Sequence, residues 1–189
     1  MLLFKKVSVS TVVTIVAFMA MLGTPRAAGT SATPLQSIYM MKQIVPKVTT
    51  VGIMWNKSTI NVSDLLPQIN RASLSVGVKV VIEDVEQIQD VSAKFRDLVE
   101  NYHIQVLWIL QNDDLYGSSI VKGYLIKNST LSGVALFAPG SDWVSAGACA
   151  ALMSEGGNAK LFVNQKTLTA LGLTVPQQFA QTTQFLATN

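Results

Sequence analysis

The sequence has a single histidine and a single cysteine among 189 residues, and this scarcity excludes most chemistry that depends on those side chains. A metal site needs clustered histidine, cysteine or carboxylate ligands. His103 stands alone before an apolar run, so we interpret it as a helix-end residue. Cys149 cannot form an internal disulfide, and its small apolar neighbours are typical of an unreactive core cysteine.

Catalytic and cofactor-binding motifs are also missing. Gly52 lies inside an apolar run, and no glycine-rich phosphate loop or nucleophile elbow occurs. A phosphorelay receiver needs a cluster of acids at the end of its first strand, but here the apolar run 48–55 leads into Trp55-Asn56-Lys57. We therefore predict a non-enzymatic protein with no cofactor and no metal.

The charge balance gives no support to a nucleic-acid partner. The chain has 14 Lys+Arg against 11 Asp+Glu, a net charge of +3 and a pI near 9.0. Lys5, Lys6 and Arg26 lie in the first 29 residues, which contain no acid, so the remainder is neutral. A polyanion-binding function loses its main argument for this reason.

The first 29 residues have the pattern of an export signal. Lys5 and Lys6 precede the uncharged stretch 7–22, and small residues follow, with cleavage expected after Ala28, Gly29 or Ala32. A retained anchor is the alternative, although the stretch is short against the roughly 20 residues that span a bilayer. We expect a periplasmic protein that contacts a membrane only through its uncleaved leader.

The rest of the chain, residues 30–189, alternates apolar runs with helical patterns. The runs predict strands at 48–55, 78–82, 106–110 and 134–138. The helical patterns cover 35–45, 62–76, 92–102 and 118–127, with Pro67 expected in the first turn of its helix, or at the point where that helix begins. Residues 146–154 fit either a strand or a helix, 160–164 a strand and 166–171 a short helix, and residues 139–142 are a turn signal.

Buried strands separated by helices predict parallel βαβ units and therefore a three-layer α/β/α sandwich with a flavodoxin-like, mainly parallel sheet. Ligands of such sheets bind beyond the carboxyl ends of the strands. Polar loops follow the strands there, although strand-end loops are often merely solvated. The candidate ligand-binding residues in these loops are Asn56, Asn112, Asp113, Ser141 and Asp142.

Several segments resemble, in order, the ABC-transporter substrate-binding proteins with the type I periplasmic fold. These are VTTVGIMWNKS (48–58), VLWILQND (106–113), LFAPGSDWVSAGACA (136–150) and LFVNQKTLTALGLTVP (161–176). The resemblance covers most of residues 30–189 but only the second of the family's two lobes. It implies a single lobe in which Asn56, Asp113, Ser141 and Asp142 line one wall of a cleft.

The resemblance implies an exported, non-enzymatic binding module that holds a small solute at the strand-end edge. Because the opposing wall is missing, that edge would need a second copy of the chain or another envelope protein to enclose a ligand. The alternative is an accessory or sensor protein that contacts an envelope transporter, receptor or kinase and binds no small molecule.

Overall fold

The computed structural model describes residues 30–155 and 158–187, so the predicted leader (1–29) lies outside the described residues. The strands are β1 (Thr30–Ser31), β2 (Thr50–Trp55), β3 (Lys79–Asp84), β4 (Val106–Ile109), β5 (Ala135–Phe137), β6 (Ala150–Glu155), β7 (Asn158–Asn164) and β8 (Thr183–Leu186). The helices are α1 (Pro34–Ile44), α2 (Val62–Val76), α3 (Val91–Glu100), α4 (Ser119–Leu131), α5 (Ser141–Ser145) and α6 (Gln165–Ala170). Short 3₁₀ helices cover Ile88–Asp90 and Gln177–Thr182.

The sheet confirms the predicted fold class. Its order is β3-β2-β4-β5-β6-β7-β8, and β2 to β6 are mutually parallel. The first five strands of that order have the flavodoxin-like sequence 2-1-3-4-5. β7 runs antiparallel to β6, and β8 runs parallel to β7. β1 pairs antiparallel with Met153 and Ser154, in the second half of β6.

Alternate side chains of the central strands fill two separate cores. Val106 and Trp108 of β4 pack on the side of α1 and α2, whereas Leu107 and Ile109 pack on the side of α3 and α4. Each face of the sheet is therefore covered, which explains why the strand sequences are continuous apolar runs. The result is the predicted α/β/α arrangement.

Local signals explain most of the helix boundaries. Thr33 and Gln36 form a capping box at the start of α1, with Pro34 as its first residue. α2 begins after Asn61, whose side chain accepts from the Asp64 N–H, and ends at Gly77 with φ +72°.

The expected position of Pro67 was wrong. The structure places it in the second turn of α2, as the sixth residue of a helix that starts at Val62. Because proline has no N–H, the Ser63 carbonyl loses its usual helical donor. Asn61 caps the first turn and Ile69 and Ala72 anchor the later turns in the core, so the helix continues through the proline.

Two further boundaries differ from the sequence expectations. β3 continues to Asp84, so Glu83 and Asp84 belong to a strand rather than to a connecting loop. Ser141 and Asp142 open the short helix α5, where a turn was predicted. Residues 146–154, which fitted either a strand or a helix, contain most of strand β6.

Candidate functional site

The carboxyl ends of β2, β3, β4 and β5 lie at one edge of the sheet, which we call the C-terminal edge. The registers of the parallel pairs bring Trp55 beside Asp84 and Met54 beside Ile109. Of the five side chains that the sequence predicted as ligand-binding, Asn56, Asn112 and Asp113 lie in the loops that follow β2 and β4. Ser141 and Asp142 open α5, after β5. All five lie along the same edge, and four of them (Asn56, Asn112, Asp113 and Asp142) belong to two separate hydrogen-bonded groups.

The first group joins the loops after β2 and β4. Asp113 accepts a hydrogen bond from the Thr59 hydroxyl at 2.8 Å and another from the Tyr116 N–H at 2.9 Å. Gln111 donates its side-chain amide to the same Thr59 hydroxyl. Asn56 accepts from the N–H of Ser58 at 3.0 Å. The two loops are therefore tied together by side chains rather than by backbone pairing.

The second group joins the loop after β4 to the start of α5. The indole N–H of the fully buried Trp143 donates to the Asn112 side-chain oxygen at 3.1 Å. Lys122 of α4 pairs with the Asp142 carboxylate and lies 5.1 Å from the centre of the Trp143 ring. Lys122 therefore balances the negative charge of Asp142, and this ion pair faces solvent.

Lysines also pair with the acids at the end of β3 and in the loop after it. Lys57 contacts Asp84 at 2.6 Å and Glu86 at 3.3 Å. Hydrogen bonding to Asp84, then to Glu86, raises the pKa of the Lys57 ammonium, so it stays charged. Lys94 contacts Glu83 at 2.7 Å, and this hydrogen bond raises the pKa of Lys94 in the same way.

A buried tyrosine lies beneath this edge. Tyr116 is fully buried, and its hydroxyl has no hydrogen-bond partner among the described residues. Burial raises the pKa of the Tyr116 phenol, and the carboxylates of Asp113 and Asp84 raise it further. The phenol is therefore neutral.

An open cavity of about 420 Å³ lies beside the first group, on the face of the sheet covered by α1 and α2. Its wall combines apolar side chains with the polar groups of Thr59, Asp64 and Gln111. None of the five predicted residues lines it. The apolar part of the wall includes Ala32, Pro34, Ile60, Leu65, Trp108, Leu110, Ala138, Pro139 and Leu152.

The sequence contained a partial signal for this cavity. Gln111 stands immediately before the predicted pair Asn112 and Asp113, at the same strand end. Trp108 could be assigned to a strand, but the face to which it points depends on register. Thr59 lies in a loop and Asp64 near the start of a helix, and the sequence of neither segment has a pattern that indicates ligand binding.

The described residues contain no cluster of three or more histidine, cysteine or acidic side chains arranged to hold a metal ion. Within the same residues, no helix combines the length and apolar character needed to cross a bilayer. Burial raises the pKa of the Cys149 thiol to about 12, and the side chain is fully enclosed.

Comparisons with known proteins agree on the architecture. The family model described as "ABC transporter substrate binding protein" matches residues 31–156. A conserved domain protein from Vibrio cholerae superposes with a TM-score of 0.67 at 18% identity, covering 82% of this chain and 61% of that one. A search of curated proteins finds no matching relative.

Two further solved structures are similar. One is a substrate binding protein with adhesive properties from Clostridium difficile, in a ligand-free, open form (TM-score 0.65, 22% identity, 84% of this chain and 61% of that one). The other is an ABC domain in complex with L-Trp from Streptococcus pneumonia (TM-score 0.66, 15% identity, 82% and 62%). The chain thus spans about three fifths of the length of the structures that it matches.

Proposed function

Because this chain belongs to the family of ABC transporter substrate binding proteins, we propose that it is an exported, non-enzymatic module that binds a small solute at its C-terminal edge. The observation that carries the proposal is the cavity beside the Thr59–Asp113–Gln111 group. Its volume of about 420 Å³ lies within the usual range of small-molecule pockets, about 300–1,000 Å³.

The wall chemistry favours a solute with an apolar body and a polar head. Trp108, Leu65 and Leu110 offer apolar surface, whereas Gln111 and Asp64 offer an amide and a carboxylate. An amino acid has this combination of groups. The similar Streptococcus structure contains L-Trp, which makes the amino acids the first solutes to test.

The cavity is open on one side, so one copy of the chain would leave a bound solute partly exposed. Tight small-molecule sites usually bury about 70–90% of the ligand surface. We therefore expect weak binding by the isolated chain and tighter binding when another chain covers the edge. A second copy and an envelope transporter or receptor component are the two candidates for that cover.

The test is a calorimetric titration of the purified chain with each of the common L-amino acids. Gln111→Ala should weaken binding about three- to tenfold, because the solute would lose one hydrogen-bond partner. Gln87→Ala is the matched control, since Gln87 is an exposed glutamine outside the cavity. If no amino acid binds, or if both variants weaken binding equally, the proposed site is wrong.

An accessory or sensor function without a small-molecule ligand is the second candidate. It is favoured by the internal partners of the edge: Asn112 receives the Trp143 N–H, Asp113 receives Thr59, and Asp142 pairs with Lys122. Such a pre-organised surface suits a protein partner. Charge reversal by Asp113→Lys or Asp142→Lys should then abolish capture of an envelope partner.

Export through residues 1–29 is part of the proposal. β1 pairs with Met153 and Ser154 of β6, and Ala32 contributes to the cavity wall. Cleavage after Ala28 or Gly29 would keep β1, whereas cleavage after Ala32 would remove it. The intact mass of the protein from a periplasmic extract distinguishes these sites, and an unprocessed mass in the membrane fraction would favour the retained anchor.

A further inference from the structure

Among residues 30–155 and 158–187, the edge of the sheet opposite the candidate site carries most of the exposed basic charge. We call it the N-terminal edge, because the parallel strands begin there. Two acids, Asp97 and Glu100, lie near it. The exposed basic side chains of its loops, of the second halves of its helices and of α6 are Lys47, Arg71, Lys79, Arg96, Lys127 and Lys166.

Three large apolar side chains protrude from the same edge. Leu74 near the end of α2 is 82% exposed, Leu131 at the end of α4 is 74% exposed, and Tyr102 after α3 is 40% exposed. Each therefore stands where a helix leads back into a strand. The Lys79 ammonium lies 5.8 Å from the centre of the Tyr102 ring, so a basic and an apolar group are neighbours there.

Helix dipoles explain part of this arrangement. All helices that connect parallel strands end at this edge, and a helix C-terminus favours nearby cations. A dipole gives no reason for an exposed leucine, however. Three exposed apolar side chains at three successive helix ends therefore call for a second explanation, which must also account for the surrounding charge.

We propose that the N-terminal edge docks on the surface of a membrane that contains anionic phospholipid. Basic side chains are attracted to anionic headgroups, and protruding apolar side chains gain free energy when they enter the headgroup boundary. The surface matches this chemistry because the apolar groups project from helix ends. The strand order separates Leu74 and Leu131 by about three strand spacings, roughly 14 Å along the sheet. Because α2 and α4 also lie on opposite faces of the sheet, the two leucines stand at opposite sides of a broad face.

The edge is also held rigidly. The Gln105 side chain accepts hydrogen bonds from the N–H groups of Thr49 and Thr50, both at 2.9 Å, and so fastens the loop before β2 to the loop before β4. These two loops therefore need little ordering when the edge binds. The proposed solute cavity faces the other way, so docking would leave it open to the surrounding solution.

A fluorescence experiment on the full chain tests the proposal. Leu131→Cys carries an environment-sensitive thiol dye, and Ile120→Cys is the matched control, because Ile120 is 70% exposed at the opposite end of the same helix. Labelling is selective because the native Cys149 is buried and its raised pKa keeps it protonated. Leu74→Cys provides a second labelled position on the docking face.

Vesicles of mixed phosphatidylglycerol and phosphatidylcholine should blue-shift the dye at positions 131 and 74 and leave position 120 unchanged. Pure phosphatidylcholine should give little response. Lys127→Gln should weaken vesicle partitioning about fivefold, because each basic residue near an anionic surface contributes on the order of a fivefold gain. Lys57→Gln, at the other edge, should have no effect.

Several results would overturn the proposal. One is a chain that sediments with the vesicles while its dye at position 131 shows no blue shift, since the leader alone would then bind the chain to the membrane. Equal responses at positions 131 and 120 would be another. If soluble poly-glutamate shifted the dye at 131 and vesicles did not, the edge would instead be a docking site for an acidic protein.

Discussion

Replacing Asn164 should destabilise the chain more than replacing any exposed capping residue. Asn164 is fully buried at the end of β7. Its side-chain N–H donates to the Val144 carbonyl at 2.9 Å, and its oxygen accepts from the Thr167 N–H at 3.0 Å. The Thr167 hydroxyl donates to the Gly147 carbonyl at 2.8 Å. Asn164 thus caps α6 and holds the segment that carries α5.

The expected cost of Asn164→Ala follows from two of the interactions that the change removes. Loss of a side-chain cap costs about 1 kcal/mol. The Val144 carbonyl loses the Asn164 donor but keeps the Gly147 N–H at 3.0 Å, and one lost hydrogen bond costs about 0.5–1.5 kcal/mol. The free energy of unfolding should therefore fall by about 1.5–2.5 kcal/mol, and for a chain of this size the melting temperature should fall by about 3–10 °C.

Asn61→Ala is the matched control. Asn61 caps α2 from an exposed position, and its oxygen lies 3.4 Å from the Asp64 N–H. This variant should lose about 1 kcal/mol or less. Urea unfolding followed by circular dichroism gives both values. Equal losses in the two variants would refute the reasoning, since burial would then contribute nothing to the effect of Asn164.

Two further changes test the packing of the central strands and the buried phenol. In Gly52→Ala the new methyl would lie 2.8 Å from Cδ1 of Ile104, so overpacking should cost about 1–3 kcal/mol. Adding Ile104→Val should recover part of this loss. Strictly additive losses of the two changes in urea unfolding would contradict the clash. Tyr116→Phe removes a buried hydroxyl without a partner in the described chain and should stabilise the fold by up to about 1 kcal/mol. Because the pKa of the Tyr116 phenol is raised in the folded state, the unfolded state loses this proton first above about pH 10, so stability should fall with rising pH. Tyr116→Phe should reduce the slope of that fall. An unchanged slope at alkaline pH would count against the role of the buried phenol.

The strands and long helices could be predicted because their signals are local. The apolar run before Asn56 is buried on both faces of the sheet, and the pattern of α2 ends at a glycine with positive φ. Pro67 was misplaced because its local preference competes with the packing of Ile69 and Ala72, which only the tertiary structure reveals. A helix can tolerate the lost hydrogen bond when its buried face compensates.

The candidate site was less accessible to sequence analysis than the fold. Strand ends predicted which loops meet, and the structure places Asn112 and Asp113 at the expected edge. The sequence could not predict how their side chains pair, because Trp143 and Thr59 come from distant parts of the chain. Nor could it predict a cavity, which depends on the register of β4 and the path from β1 into α1.

The distribution of charge favours a basic partner over a second copy at the C-terminal edge. Residues 30–189 carry equal numbers of acidic and basic side chains, but the two signs are separated in space. This edge has eight acids and three lysines among the described residues. The acids are Asp64, Glu83, Asp84, Glu86, Asp90, Asp113, Asp114 and Asp142, and the lysines are Lys57, Lys94 and Lys122.

A symmetric dimer through this edge would bring two surfaces of charge −5 together. The N-termini of α2, α3 and α4 offset this by only about +1.5. Any such pairing should therefore weaken as salt is lowered, whereas binding of a basic envelope protein should strengthen. Sedimentation velocity at low and high ionic strength measures this dependence. A dimer that persists at low salt and dissociates in Asp113→Lys would reverse the argument, because the acidic edge would then be self-complementary.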